Sequence, residues 1–169
     1  MTLAVELRRT GYRVAYGLLA TYWWIGRPKL HGVKCVLTDE DRILLVRHTY
    51  GPRTWDLPGG RIKRGEPPLS TARREMQEEL GLTIDDWTSL GEVVTDVYRR
   101  RDTLHCFQAE VPGPRITPDP VEIATTRWFA RQDLPHNLSR FVPQVLDRLA
   151  SSPPQAGEAS RPRTSRNPR

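Results

Sequence analysis

Apolar side chains recur at near-helical spacing in the first thirty residues, at Leu7, Val14, Leu18 and Ile25, with Arg8, Arg9 and Arg13 placed among and ahead of them. This pattern predicts an amphipathic helix within residues 1–30. Its apolar run, 14–25, is broken by Gly17 and Thr21 and falls short of the roughly 20 residues that a bilayer span needs. Trp23, Trp24 and Ile25 stand where a small-residue cleavage site would follow a secretory signal. Two placements remain: packing on the domain or on a second copy of the chain, or peripheral contact with a membrane, Tyr22, Trp23 and Trp24 lying at the interface. From His31 the period shortens. Residues 33–38 and 43–48 read as two strands of a hairpin around Asp39, Glu40 and Asp41, and Pro58-Gly59-Gly60 then marks a loop. Pro67 and Pro68 open a helix that runs to Leu80 and stops at Gly81. Residues 90–98, 104–111 and 124–129 resemble strands, and 139–149 a last helix interrupted by Pro143. Hairpins outnumber regular alternation, which places the fold in the mixed α/β or α+β class.

Composition narrows this picture. A chain of 169 residues fits one domain, and two cysteines, Cys35 and Cys106, support neither a disulfide framework nor a thiolate metal cage. A reducing, cytoplasmic setting is the simpler expectation. Residues 151–169 hold Arg161, Arg163, Arg166 and Arg169 against Glu158 alone, so part of the net charge of +6 belongs to a tail. That tail, poor in apolar residues, is expected to be disordered and basic. The expected organisation is a helix and linker over 1–30, a domain over 31–150 and the tail over 151–169. His31, His48, His105 and His136 lack an i,i+4 pair, so no histidine metal set is expected.

The chemistry concentrates on the helix after Pro68. At about 100° per residue, Leu69, Ala72, Met76 and Leu80 share a narrow stripe that must face a core. Glu75, Glu78 and Glu79 occupy an adjoining arc, which gathers their carboxylates at one edge of the stripe. A solvated face ion-paired through Arg74 and Glu78 is one account. Glu75 and Glu79 are also i,i+4, however, and like charges at that spacing repel by about 0.2–0.5 kcal/mol. A hard divalent cation, Mg²⁺ or Mn²⁺, would turn the repulsion into coordination.

Gly60, Glu66, Arg74, Glu75, Met76, Glu78, Glu79, Gly81 and Leu82 stand at the specified positions of the Nudix box. The chain thus resembles the Nudix hydrolases, closely over residues 60–82 and more loosely over 31–150. The resemblance implies an α/β/α sandwich with a mixed sheet and a divalent metal, usually Mg²⁺. It implies Glu75, Glu78 and Glu79 as metal ligands, the carbonyl of Gly59 as a further candidate, and Arg74 and Glu66 as the groups that orient them. The implied reaction is hydrolysis of a diphosphate bond in a nucleoside diphosphate derivative by metal-activated water, the proton going to Glu75, Glu79 or an acid outside the box, for which Glu122 is the candidate. Arg47 and Arg53 are candidate phosphate contacts. Tyr98 is either a base-stacking ring, as in diadenosine-polyphosphate hydrolases, or a packed strand residue. The expected partner is a nucleotide-derived small molecule, and nucleic acid is not required. Two rivals stand beside this reading: a nucleotide sensor without turnover, and an RNA 5′-end pyrophosphohydrolase.

Overall fold

The structure, a computed structural model, describes residues 3–26, 31–97, 100–113 and 115–151. In chain order the elements are α1 (Leu3–Gly26), β1 (His31–Asp39), β2 (Arg42–His48), α2 (Pro68–Leu80), β3 (Thr88–Val97), β4 (Arg100–Glu110), β5 (Ile123–Ala130) and α3 (Phe141–Ser151). The strands form one sheet in the order β3-β4-β1-β2-β5. β1 runs parallel to β4, and the pairs β3–β4, β1–β2 and β2–β5 are antiparallel. This is the mixed sheet that the resemblance implies.

Each sheet face is covered by a helix because each central strand is apolar on both sides. On one face Val33, Cys35, Leu44 and Val46 pack with Ala72, Met76 and Leu80 of α2. On the other Val36, Ile43 and Leu45 pack with Trp55, Val142 and Val145, the last two from α3. The predicted stripe on α2 is therefore the buried one: Ala72, Met76 and Leu80 are fully covered and Leu69 packs at the margin. Gly81 closes the helix in the left-handed conformation, its N–H and that of Leu82 capping the Gln77 and Met76 carbonyls.

Two expectations change. Pro143 does not interrupt the last helix, because α3 starts at Phe141 and places Pro143 in its first turn, where an amide has no intrahelical partner to lose. The hairpin pairs only at its turn, through Thr38–Ile43 and Asp39–Arg42, and then opens. Residues 56–62 fill the wedge. The N–H groups of Cys35 and Val33 donate to the carbonyls of Pro58 and Gly60, both at 2.9 Å, and Val46 exchanges two 2.9 Å hydrogen bonds with Asp56. What reads as a loop is thus strapped between β1 and β2. Lys34 reinforces it, donating to Asp56 Oδ2 at 2.8 Å and to the Leu57 carbonyl at 2.9 Å.

No described helix is long and apolar enough to cross a membrane. α1 touches the domain through Arg9, whose Nε donates to the Pro120 carbonyl at 2.8 Å, and through Tyr12 against Tyr50. Leu7, Val14 and Leu18 are exposed. The aromatic side chains of Tyr22, Trp23 and Trp24, together with the tail over 152–169, lie outside the described residues.

Candidate functional site

The site begins where the strapped segment meets α2. Glu75 and Glu79, one turn apart, face inward at 9% and 2% exposure. Glu79 accepts a 2.9 Å hydrogen bond from the N–H of Gly59. At Gly60 a Cβ would lie 2.4 Å from the Glu75 carboxyl carbon, so only glycine lets that carboxylate reach the backbone. Gly59, at φ 136°, is more rigidly constrained, since a Cβ there would come within 2.3 Å of the Val33 carbonyl oxygen.

Arg74 organises the rest. It grips Glu66 with Nε at 2.9 Å and Nη2 at 3.0 Å, while Nη1 donates to Glu75 at 2.6 Å and to Glu78 at 2.8 Å. These hydrogen bonds hold Glu66 down to about 2 and raise the Arg74 guanidinium above its ordinary value. Burial acts the other way on the inner acids. It raises the Glu75 carboxyl despite Arg74, and it pushes Glu79 up to about 8 against the opposing effect of the Gly59 N–H and Lys34.

The convergence expected of the three glutamates is only partial. Glu78, its side chain 54% exposed, lies on the outer rim and makes the i,i+4 pair with Arg74 that the sequence holds in reserve. Among the described residues no group of three or more His, Cys, Asp or Glu forms a ready-made cation cage. The donor chemistry nevertheless fits a hard cation. One guanidinium serves three carboxylates, and burial, with Glu75 and Glu122 nearby, favours the acid form of Glu79.

A short segment, 117–123, brings the remaining groups to this end of the molecule. Thr117 and Asp119 donate their N–H groups to the last carbonyls of α2, those of Leu80 and Glu79, both at 2.9 Å. Thr49, just past β2, holds the same segment by donating Oγ1 to the Val121 carbonyl at 2.6 Å and N–H to the Glu122 carbonyl at 2.8 Å. Glu122 is thereby set close enough to raise Glu75 and Glu79 electrostatically, and its carboxylate accepts a hydrogen bond from the Tyr12 hydroxyl.

Beside this cluster opens a cavity of about 430 Å³ bounded by Arg9, Arg47, His48, Tyr50, Arg53 and Thr125. Both arginines singled out in the sequence line it. Arg47 lies 4.3 Å over the Trp55 ring, and its buried Nε has no hydrogen-bond partner. Tyr98 lies outside the described residues. Sequence reasoning missed Arg9, Tyr12, His48 and Tyr50. The only local signal was Arg9 and Tyr12 at i,i+3 on a helix whose apolar stripe lay elsewhere, and nothing in their spacing named their contacts.

A NUDIX domain model matches residues 28–149. A Mycobacterium tuberculosis protein bearing the mutator name MutT4 is 31% identical over 118 residues, covering 63% of this chain and 48% of that protein. The chain thus spans about half the length of that relative. The RNA pyrophosphohydrolase of Bartonella clarridgeiae is 26% identical over 176 aligned positions, 88% of this chain and 94% of its own. The crystal structure of a MutT NUDIX hydrolase from Burkholderia pseudomallei aligns with a TM-score of 0.67 at 25% identity, over 72% of this chain and 98% of that one. With the box on α2, the glycine turn packed against it and the two-layered core in agreement, the chain belongs to the NUDIX domain family.

Proposed function

We propose that the protein hydrolyses a diphosphate bond in a nucleoside diphosphate derivative, with Glu75, Glu78, Glu79 and the Gly59 carbonyl holding a divalent cation, Mg²⁺ or Mn²⁺. The observation that carries this reading is the glycine turn, which presses backbone onto two buried carboxylates in a cluster where acids outnumber the one arginine. When bound, the cation would neutralise charge on the phosphoryl oxygens and acidify a water. The chain's own groups supply the rest. Arg74 stays anchored on Glu66 through Nε and Nη2, so Nη1 can orient Glu75 and Glu78 without losing its own support. Glu122, positioned by Thr49 and Tyr12, is the acid best placed outside the box to accept the proton of the attacking water as the P–O bond of the anhydride breaks. Arg47 and Arg53 meet the substrate's phosphates in the adjoining cavity.

The catalytic unit is residues 31–150, and the buried free thiols of Cys35 and Cys106 accord with a cytoplasmic setting. Any membrane or dimer contact of α1 would use the outward side chains Leu7, Val14 and Leu18. The test is a nucleotide panel assayed with Mg²⁺. Glu79→Gln and Glu78→Gln proteins are expected to lose about 100-fold in kcat/KM, and activity that survives both substitutions would overturn the assignment. A second reading, pyrophosphohydrolysis at RNA 5′ ends, is favoured by the relative whose alignment covers 88% of the chain. It predicts release of pyrophosphate from 5′-triphosphorylated RNA and RNA binding that weakens steeply with salt.

A further inference from the structure

We infer that α1, which precedes the matched NUDIX region, forms a wall of the substrate pocket, and that Arg9 on it recognises an oxyanion of the substrate beyond the scissile diphosphate. The inference rests on the hydrolase reading for its substrate but on the cavity for its geometry. Arg9, Arg47 and Arg53 all border the same 430 Å³ space, and no Asp or Glu is among its lining residues. Three guanidinium groups around one concavity focus positive potential into it.

Arg9 is held in place rather than extended into solvent. Its side chain is 18% exposed, Nε is fixed on the Pro120 carbonyl at 2.8 Å, and Glu6 lies 3.6 Å from Nη1. One turn along α1, Tyr12 meets the ring of Tyr50 at 6.1 Å between centroids and bonds Glu122. The helix therefore has two opposed faces: Leu7, Val14 and Leu18 outward, Arg9 and Tyr12 on the site. Tyr50 links the cavity to the acids, since burial first and then Glu122, Glu79 and Glu75 raise its hydroxyl. His48, packed 5.3 Å from Tyr50 and pushed down to about 4 by burial, contributes a neutral ring and not a fourth charge. A cavity bordered by the rings of His48 and Tyr50 and by three arginines suits a nucleotide carrying a longer phosphate chain. The substrate class is a nucleoside triphosphate or a 5′-triphosphorylated end, in preference to a nucleoside diphosphate joined to an uncharged group.

The experiment uses the full chain. Binding of inorganic tripolyphosphate is measured by calorimetry in EDTA, and KM and kcat are measured with Mg²⁺ for a nucleoside triphosphate and for a nucleoside diphosphate sugar. Arg9→Ala is expected to weaken tripolyphosphate binding about 10-fold and to raise KM for the triphosphate by a similar factor, with a smaller change in kcat. Arg9→Lys, which keeps the charge but not the fork anchored on Pro120, should recover only part of the loss. Arg53→Ala, at another lining position, should weaken tripolyphosphate in the same direction. Tripolyphosphate binding by Arg9→Ala equal to that of the unmodified chain overturns the proposal. So does a loss confined to Arg9→Ala and absent in Arg53→Ala, or an equal KM rise for both substrates. If the unmodified chain turns over no nucleotide, the hydrolase reading fails, and the calorimetry in EDTA still decides the pocket.

Discussion

His48 is half-buried and Glu79 buried, and loss of solvent shifts the two in opposite directions, since it favours the neutral form of each. For His48 the folded value falls from 6.5 to about 4, with the Lys34 charge adding to the effect. Between those values the unfolded chain binds the proton and the folded chain does not. The stability from burying a neutral imidazole is thus complete above about pH 6.5 and is lost as pH falls toward 4. His48→Gln should remove that slope: its thermal midpoint should drop less between pH 7 and 4.5 than that of the unmodified protein, and parallel curves would refute the assignment. Glu79 has the reverse sign. Without a cation its acid form is the one the fold prefers, and the stability this gives fades as pH rises toward 8.

At the scale of elements, the turn at Gly59 and Gly60 separates folding from chemistry. A Cβ at Gly59 would strike the Val33 backbone, which cannot yield, and would do so at a φ that L residues rarely adopt. Gly59→Ala should therefore cost about 2–4 kcal/mol in chemical denaturation. A Cβ at Gly60 meets instead the movable end of Glu75. Gly60→Ala should leave the denaturation midpoint closer to that of the parent than Gly59→Ala does and yet lower kcat, because the carboxylate is pushed off the turn. Much of α2 was legible in sequence, since Pro68, Gly81 and the 3.6-residue stripe of Ala72, Met76 and Leu80 each have a local cause. The outward turn of Glu78 was not, because the arc shared with Glu75 and Glu79 is wide enough to straddle the buried boundary. Residues 56–62 carry no alternating pattern, so their place between β1 and β2 emerges only from partners supplied by other strands. The contact from Arg9 to Pro120 spans 111 positions, a separation across which no spacing rule operates.

Across the whole molecule, residues 117–123 tie together parts that are distant in the chain. The segment accepts Arg9 from α1 at Pro120, accepts Thr49 from the end of β2 at Val121 and Glu122, and donates to the end of α2. Thr49→Val deletes the hydroxyl and leaves the Val121 carbonyl short of a donor, a loss of about 1–3 kcal/mol. If the segment couples the cavity to the acids, tripolyphosphate affinity and kcat should fall together in this protein, and a change in one alone would show them to be independent. The arrangement behaves as a yoke: a phosphate chain drawn against α1 would load the same short stretch that sets Glu122 beside the glutamates, so filling the far end of the pocket would tension the near end for reaction.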